Sequence, residues 1–135
     1  MKKINASIDN AARFAPPVLR VGIGLVLLWF STTQLMDPKP WSTIIPSYVT
    51  GLTGLSAVAI VQLNAFFELA LSSALIAGLY TRWAGLLAAV HISQIATMMG
   101  YNALGVRDFG LAAAALVVFL HGEDIYGVPA LLKKK

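Results

Sequence analysis

The residues able to do chemistry in this chain sit at helical spacing inside apolar runs. Glu68 lies in "FFELALSSALIAGLYTR", with Asn64 one turn before it and Ser72 one turn after. His91 and Gln94 share a helical face with Leu87 and Met98. Arg20, Ser31 and Gln34 fall on one face with Gly24 and Leu27, and Arg107 and His121 line up with Ala114 at intervals of seven. Lipid tails offer no hydrogen bonds, so such faces turn into a bundle or towards another protein. Three chemistries fit this set: a structural network that fixes helix register, a pocket for a quinone or other amphiphile, and a proton or cation pathway. Haem held by His91 and His121 is not expected, because their depths differ by ~13 Å if His121 ends its helix. No metal site is expected either.

Depth sorts these groups. At ~1.5 Å per residue, Ser31, Asn64, Gln94 and Arg107 fall within ~10 Å of one membrane face, the outer one. Glu68 and His91 fall near the midplane, and Arg20 and His121 near the inner edge. An isolated carboxylate at such a depth must take up a proton or find a cation. Asn64 can donate a hydrogen bond to Glu68. The expected cation is Arg107, within reach from the outer side, with Arg20 as the second choice.

The elements that would position these groups are four apolar runs: Pro17–Met36, Ala57–Tyr80, Trp83–Tyr101 and Asn102–His121. Each approaches the ~20 residues that cross a bilayer. Only Phe109–Leu120 is free of charge and histidine in the last run, ~18 Å of helix, so that helix is expected to start near Asn102 and draw Arg107 and Asp108 below the surface. Hydrophobic residues make up 58% of the chain and charged residues 12%, about half the soluble average. The expectation is an all-α, integral membrane four-helix bundle, one domain over residues 1–135. A short N-terminal interfacial helix over residues 1–16 precedes it, and Pro16-Pro17 opens the first span.

One long connection, "DPKPWSTIIPSYVTGLTGLS", joins the first two spans, with Trp41 and Tyr48 expected at the interface. The second and third spans are joined only by "LYTRW", a tight hairpin. In the third, Gly85, Ala89, Ser93, Ala96 and Gly100 form a small-residue stripe opposite His91, suited to close helix packing within the chain or against another subunit. Lys2, Lys3, Arg13, Arg20, Arg82 and Lys133 to Lys135 would share one side, against Lys39 and Arg107 on the other. That bias places both termini in the cytoplasm, in the cell inner membrane. The first run is too long for a signal-peptide core and reads as a retained helix.

The net charge of +4 does not point to nucleic acid, because no soluble domain is present to carry a basic face. No segment between the runs has room for a nucleotide-binding domain. Cysteine is absent, which excludes disulfide relay, iron–sulfur ligation and thiolate metal sites within this chain.

The sequence resembles the DoxX family of small four-helix membrane proteins over nearly its whole length. The resemblance rests on "LRVGIGLVLLWFSTTQ", on "ELALSSALIAGLYTR" with Glu68, Gly78, Thr81 and Arg82, and on "RDFGLAAAALVVFLHG" followed by "YGVPAL". The Glu-to-Thr-Arg segment is the most specific of these. Where the family often has Gly-x-x-Lys, this chain has Ser31 and Gln34, so that lysine's charge is missing. The resemblance implies a small accessory subunit that assembles with other membrane subunits of a respiratory or other redox complex and contributes a quinone-facing pocket. Any redox cofactor would be held by the partner, none by this chain. The enzyme alternative is the membrane subunit of a thiosulfate:quinone-type oxidoreductase, with Glu68 or His91 handling a quinol proton. A small proton-coupled transporter is the third class.

Overall fold

The computed structural model describes residues 8–132, and among them all regular secondary structure is helical. Seven helices carry labels here: α1 (Ala15–Met36), α2 (Lys39–Ser42), α3 (Ser47–Thr53), α4 (Ala57–Ala77), α5 (Thr81–Met99), α6 (Ala103–His121) and α7 (Val128–Leu132). Residues 8–12 form a further helical turn before α1, exposed along its length. The remainder of the expected N-terminal interfacial helix, and Lys2, Lys3 and Lys133 to Lys135, lie outside the described residues.

Local chemistry sets the helix ends. Proline occupies the first turn of α1, where no intrahelical N–H partner is needed. Ser56 caps α4 by accepting from the Ala59 N–H. Asn102 caps α6 by accepting from the N–H groups of Leu104 and Gly105, so the last long helix starts where its short charge-free run requires. Gly78 ends α4 in the left-handed region, at φ +69°. That stops the helix at Ala77 rather than Tyr80, and α5 begins at Thr81. The long connection between the first two spans contains the short helices α2 and α3.

Among the described residues three helices, α1, α4 and α6, are long and apolar enough to cross a membrane. About a third or less of each span is buried inside the protein (33%, 33% and 28%), so most of its apolar surface faces outward, as in a membrane protein. Trp29, Phe66, Phe109 and Leu120 are among the large side chains that face out. The fourth long helix, α5, carries Arg82, His91 and Gln94 and is not among the three.

Packing is tightest in two pairs, α5 with α6 and α1 with α4. The small-residue stripe explains the first pair. A side chain at Gly85 would stand 2.8 Å from the Phe119 nitrogen, and Ala88, Ala89, Ala112 and Ala115 are buried along the same seam. The stripe therefore packs within the chain, on α6. Only three residues join α4 to α5, yet these two helices touch far less than either pair. Ile23, Leu27, Leu71, Leu75, Ile92 and Val118 complete a core shared by all four long helices. The N-terminal segment, the α4–α5 turn and the chain after α6 meet at one end, where Phe14 stacks on Tyr126 at 5.5 Å. We call this the termini end and the opposite one the loop end.

Candidate functional site

At the loop end the four long helices, with α2 and α3, line a cleft of about 1100 Å³. Ligand pockets typically enclose ~300–1,000 Å³, so this one is large for its class. Its walls are mainly apolar and aromatic, with Trp29, Phe30, Trp41, Tyr48 and Phe67 contributing rings. Trp41 and Tyr48 thus line the cleft, and Trp41 meets Phe30 edge-on at 5.6 Å.

The polar groups converge on one carboxylate. Glu68 is 2% exposed and lies on the buried face of α4. The Gln34 amide on α1 donates to Glu68 Oε2 at 2.9 Å. The Asn64 amide donates to Glu68 Oε1 at 3.0 Å and to Gln34 Oε1 at 2.9 Å. His91 Nε2 on α5 lies 3.1 Å from Glu68 Oε1. Phe67 packs edge-on against the imidazole at 5.1 Å. These bonds tie α1, α4 and α5 together where α4 and α5 otherwise barely touch. They also place an acid and an imidazole in direct contact beside a cavity, an arrangement able to hold, exchange or deliver one proton.

The expected Glu68–Arg107 pair does not form. Arg107 Nε donates to its neighbour Asp108 at 2.8 Å, and its guanidinium lies 5.5 Å from the centre of the Phe30 ring. The reason is rotational: α6 buries Gly105, Asp108, Ala112, Ala115 and Val118, which leaves the Arg107 side chain about half exposed at the cleft's edge. Three uncharged or neutral-capable partners, Gln34, Asn64 and His91, already occupy Glu68. His121, on the same outward side of α6, is exposed as well.

Arg20 is not the partner either. It is 2% exposed at the termini end, where Nε donates to Asp124 Oδ2 at 2.7 Å and Nη2 reaches Oδ1 at 3.4 Å. Its Nη1 donates to the carbonyls of Leu75 and, at 2.9 Å, Ile76. Those carbonyls belong to the last turn of α4, that of Leu75 also accepting from the Gly78 N–H, and a cation there suits the helix dipole. Burial raises the Asp124 pKa, but four opposing effects outweigh it. The Arg20 hydrogen bond, the Tyr126 N–H, and the charges of Arg20 and His121 together hold the carboxyl below the usual carboxylate range.

Of the residues singled out in the sequence, Gln34, Asn64, Glu68 and His91 meet directly, and Gln94 and Arg107 line the same cleft. Ser31 is fully buried but donates back to the Leu28 carbonyl, and Ser72 likewise to Leu69. Arg20 belongs to a separate centre. Asp108 and Asp124 were missed. A signal for Asp124 existed: an arginine buried near one end needs an acid, and "GED" at 122–124 supplies acids at that end. Among the described residues, no group of three or more His, Cys, Asp or Glu side chains is placed to hold a metal ion.

No family model matches the chain, and no curated protein or solved structure matches it.

Proposed function

We propose that this protein is a four-span inner-membrane subunit of a respiratory or other redox complex, and that its loop-end cleft receives the ring of a quinone. The observation that carries the proposal is the convergence of the Glu68–His91 pair on a large cleft with aromatic walls. A quinone is a flat, membrane-soluble ring with two carbonyl oxygens, so it suits apolar walls and a few hydrogen-bond donors. The exposed Gln94 amide and the half-exposed Arg107 line the cleft and are available to such oxygens. Reduction of a quinone takes up two electrons and two protons. A partner subunit with its own redox centre would supply the electrons, the Glu68–His91 pair one proton, and water in the cleft the other. The resemblance to the DoxX family in the Glu68–Arg82 segment supports this reading. In it α5 is the fourth span, both termini are cytoplasmic, and the loop end faces the outer half of the membrane.

Two of the three tryptophans, Trp29 and Trp41, line the cleft, and Trp83 does not. Titrating Trp83→Phe protein with a short-tailed, fully ring-substituted quinone should quench fluorescence saturably at one quinone per chain. Linear, unsaturable quenching would count against a quinone site. Mild isolation from native membranes should bring along a protein carrying flavin, haem or iron–sulfur centres. Recovery of the chain alone would remove the accessory role.

A further inference from the structure

The charges at the two ends of the bundle are not matched alike. Arg20 is paired with Asp124 and Arg107 with Asp108, so each of these arginines already has its own acid. That leaves Glu68, 2% exposed, with no fixed cation among the described residues. From α1 it meets Gln34 and from its own helix Asn64, both neutral amides. From α5 it meets His91, which is charged only when protonated. The charged or titratable groups that α3 and α6 bring to the same cleft are Tyr48 and the Arg107–Asp108 pair, already neutralised internally. A buried carboxylate without a cation is unfavourable, so the site is electrically complete only when it holds a proton or a cation.

We propose that the cleft binds lipophilic organic cations in exchange for the proton shared by Glu68 and His91. The empty site is neutral with that proton, whether it resides on the acid or makes the imidazolium–carboxylate pair. An arriving cation replaces it: Glu68 is then the anion, His91 the neutral imidazole, and the proton leaves through the cleft to water at the loop end. Total charge in the site stays at zero before and after. The walls suit such a ligand, because a cation over the faces of Trp29, Phe30, Trp41 or Phe67 gains attraction from each ring it covers. The proposal needs only the cleft and the lone acid. It stands apart from the quinone reading, and the two are separable by experiment.

The test is calorimetric titration of the purified full chain, in a nonionic detergent, with tetraphenylphosphonium and with its near-isosteric anion tetraphenylborate. Running the titration in two buffers of different ionisation enthalpy counts the protons released. One phosphonium should bind per chain, with close to one proton released and with affinity rising about tenfold per pH unit while the pair is protonated. The borate should not bind. Glu68→Gln should weaken phosphonium binding by at least about tenfold, and Glu68→Asp should retain it. Proton counting on the unaltered protein keeps the test decisive should either variant fold poorly. Equal binding of both ions, or phosphonium binding without proton release, would overturn the proposal. Because quinone binding is read separately by tryptophan quenching, either proposal can fail while the other holds.

Discussion

Asp124 at the termini end and Glu68 at the loop end are both largely shielded acids, yet the protein treats them differently. Asp124 is held by a guanidinium that also reaches two carbonyls in the last turn of α4, so charge, helix dipole and those carbonyls are served in one contact. Glu68 is held by two amides and an imidazole, with a cavity beside it and no permanent positive charge. In the first arrangement the acid has a permanent cation beside it; in the second only the imidazole could supply a positive charge, and only when protonated. In the reading proposed above, the fixed ion pair serves the fold and the acid beside the cleft serves chemistry.

Breaking the fixed pair should have the largest effect. Arg20→Ala leaves Asp124 buried without its cation and exposes the α4 carbonyls, a loss of about 3–5 kcal/mol in denaturant unfolding in micelles. Arg20→Lys should recover little, since a point charge on a flexible stem cannot span the carboxylate and two carbonyls together. Gly78→Ala comes next. Its φ of +69° disfavours any side chain, and a Cβ there would stand 2.6 Å from the Gly127 Cα, so we expect a loss of about 2–3 kcal/mol. Gly110→Ala, mid-helix in α6 with nothing within 4 Å, serves as the clash-free control and should stabilise slightly, by up to about 1 kcal/mol.

Acid should sharpen the contrast further. The Asp124 pKa is lowered from its ordinary 3.8, so its contribution to stability is complete above that value and is lost as pH falls through the lower folded value. Unfolding followed from pH 6 to pH 2 should show this loss only at the acid extreme, and Asp124→Asn should remove it. Glu68→Gln should have the smallest effect on stability, about 1 kcal/mol or less, because the amide keeps part of the hydrogen-bond set. It should nevertheless abolish the proton release that accompanies cation binding.

Much of this division was legible in the sequence, and the part that was not has a definite cause. The face of α1 that joins Arg20 to Gln34 and the face of α4 that joins Asn64 to Ser72 are the buried ones, because helical period alone determines which residues stack. The start of α6 near Asn102 followed from counting residues against membrane thickness; the capping role of the Asn102 side chain is seen only in the structure. The partners of the arginines did not follow. Period and depth leave the rotation of α6 open, and that rotation turns Asp108 inward and Arg107 to the edge. Nor does sequence show that α4 and α5, joined by so short a turn, would stand apart enough to line a cleft. That spacing arises because α5 gives its small-residue face to α6 and keeps His91 for Glu68.

The central claim is that the loop end contains a ligand site beside Glu68, and the absence of native cysteine makes it directly measurable. Met98 lines the cleft, whereas Ser72 is fully buried below it. The measurement is the labelling rate of Met98→Cys and Ser72→Cys by a water-soluble thiol reagent, with and without a fully ring-substituted quinone that cannot itself add a thiol. We predict ready labelling at position 98, slowed by the quinone to saturation, and no labelling at position 72 while the protein is folded. Equal rates at the two positions, or a position-98 rate that the quinone leaves unchanged, would contradict the account.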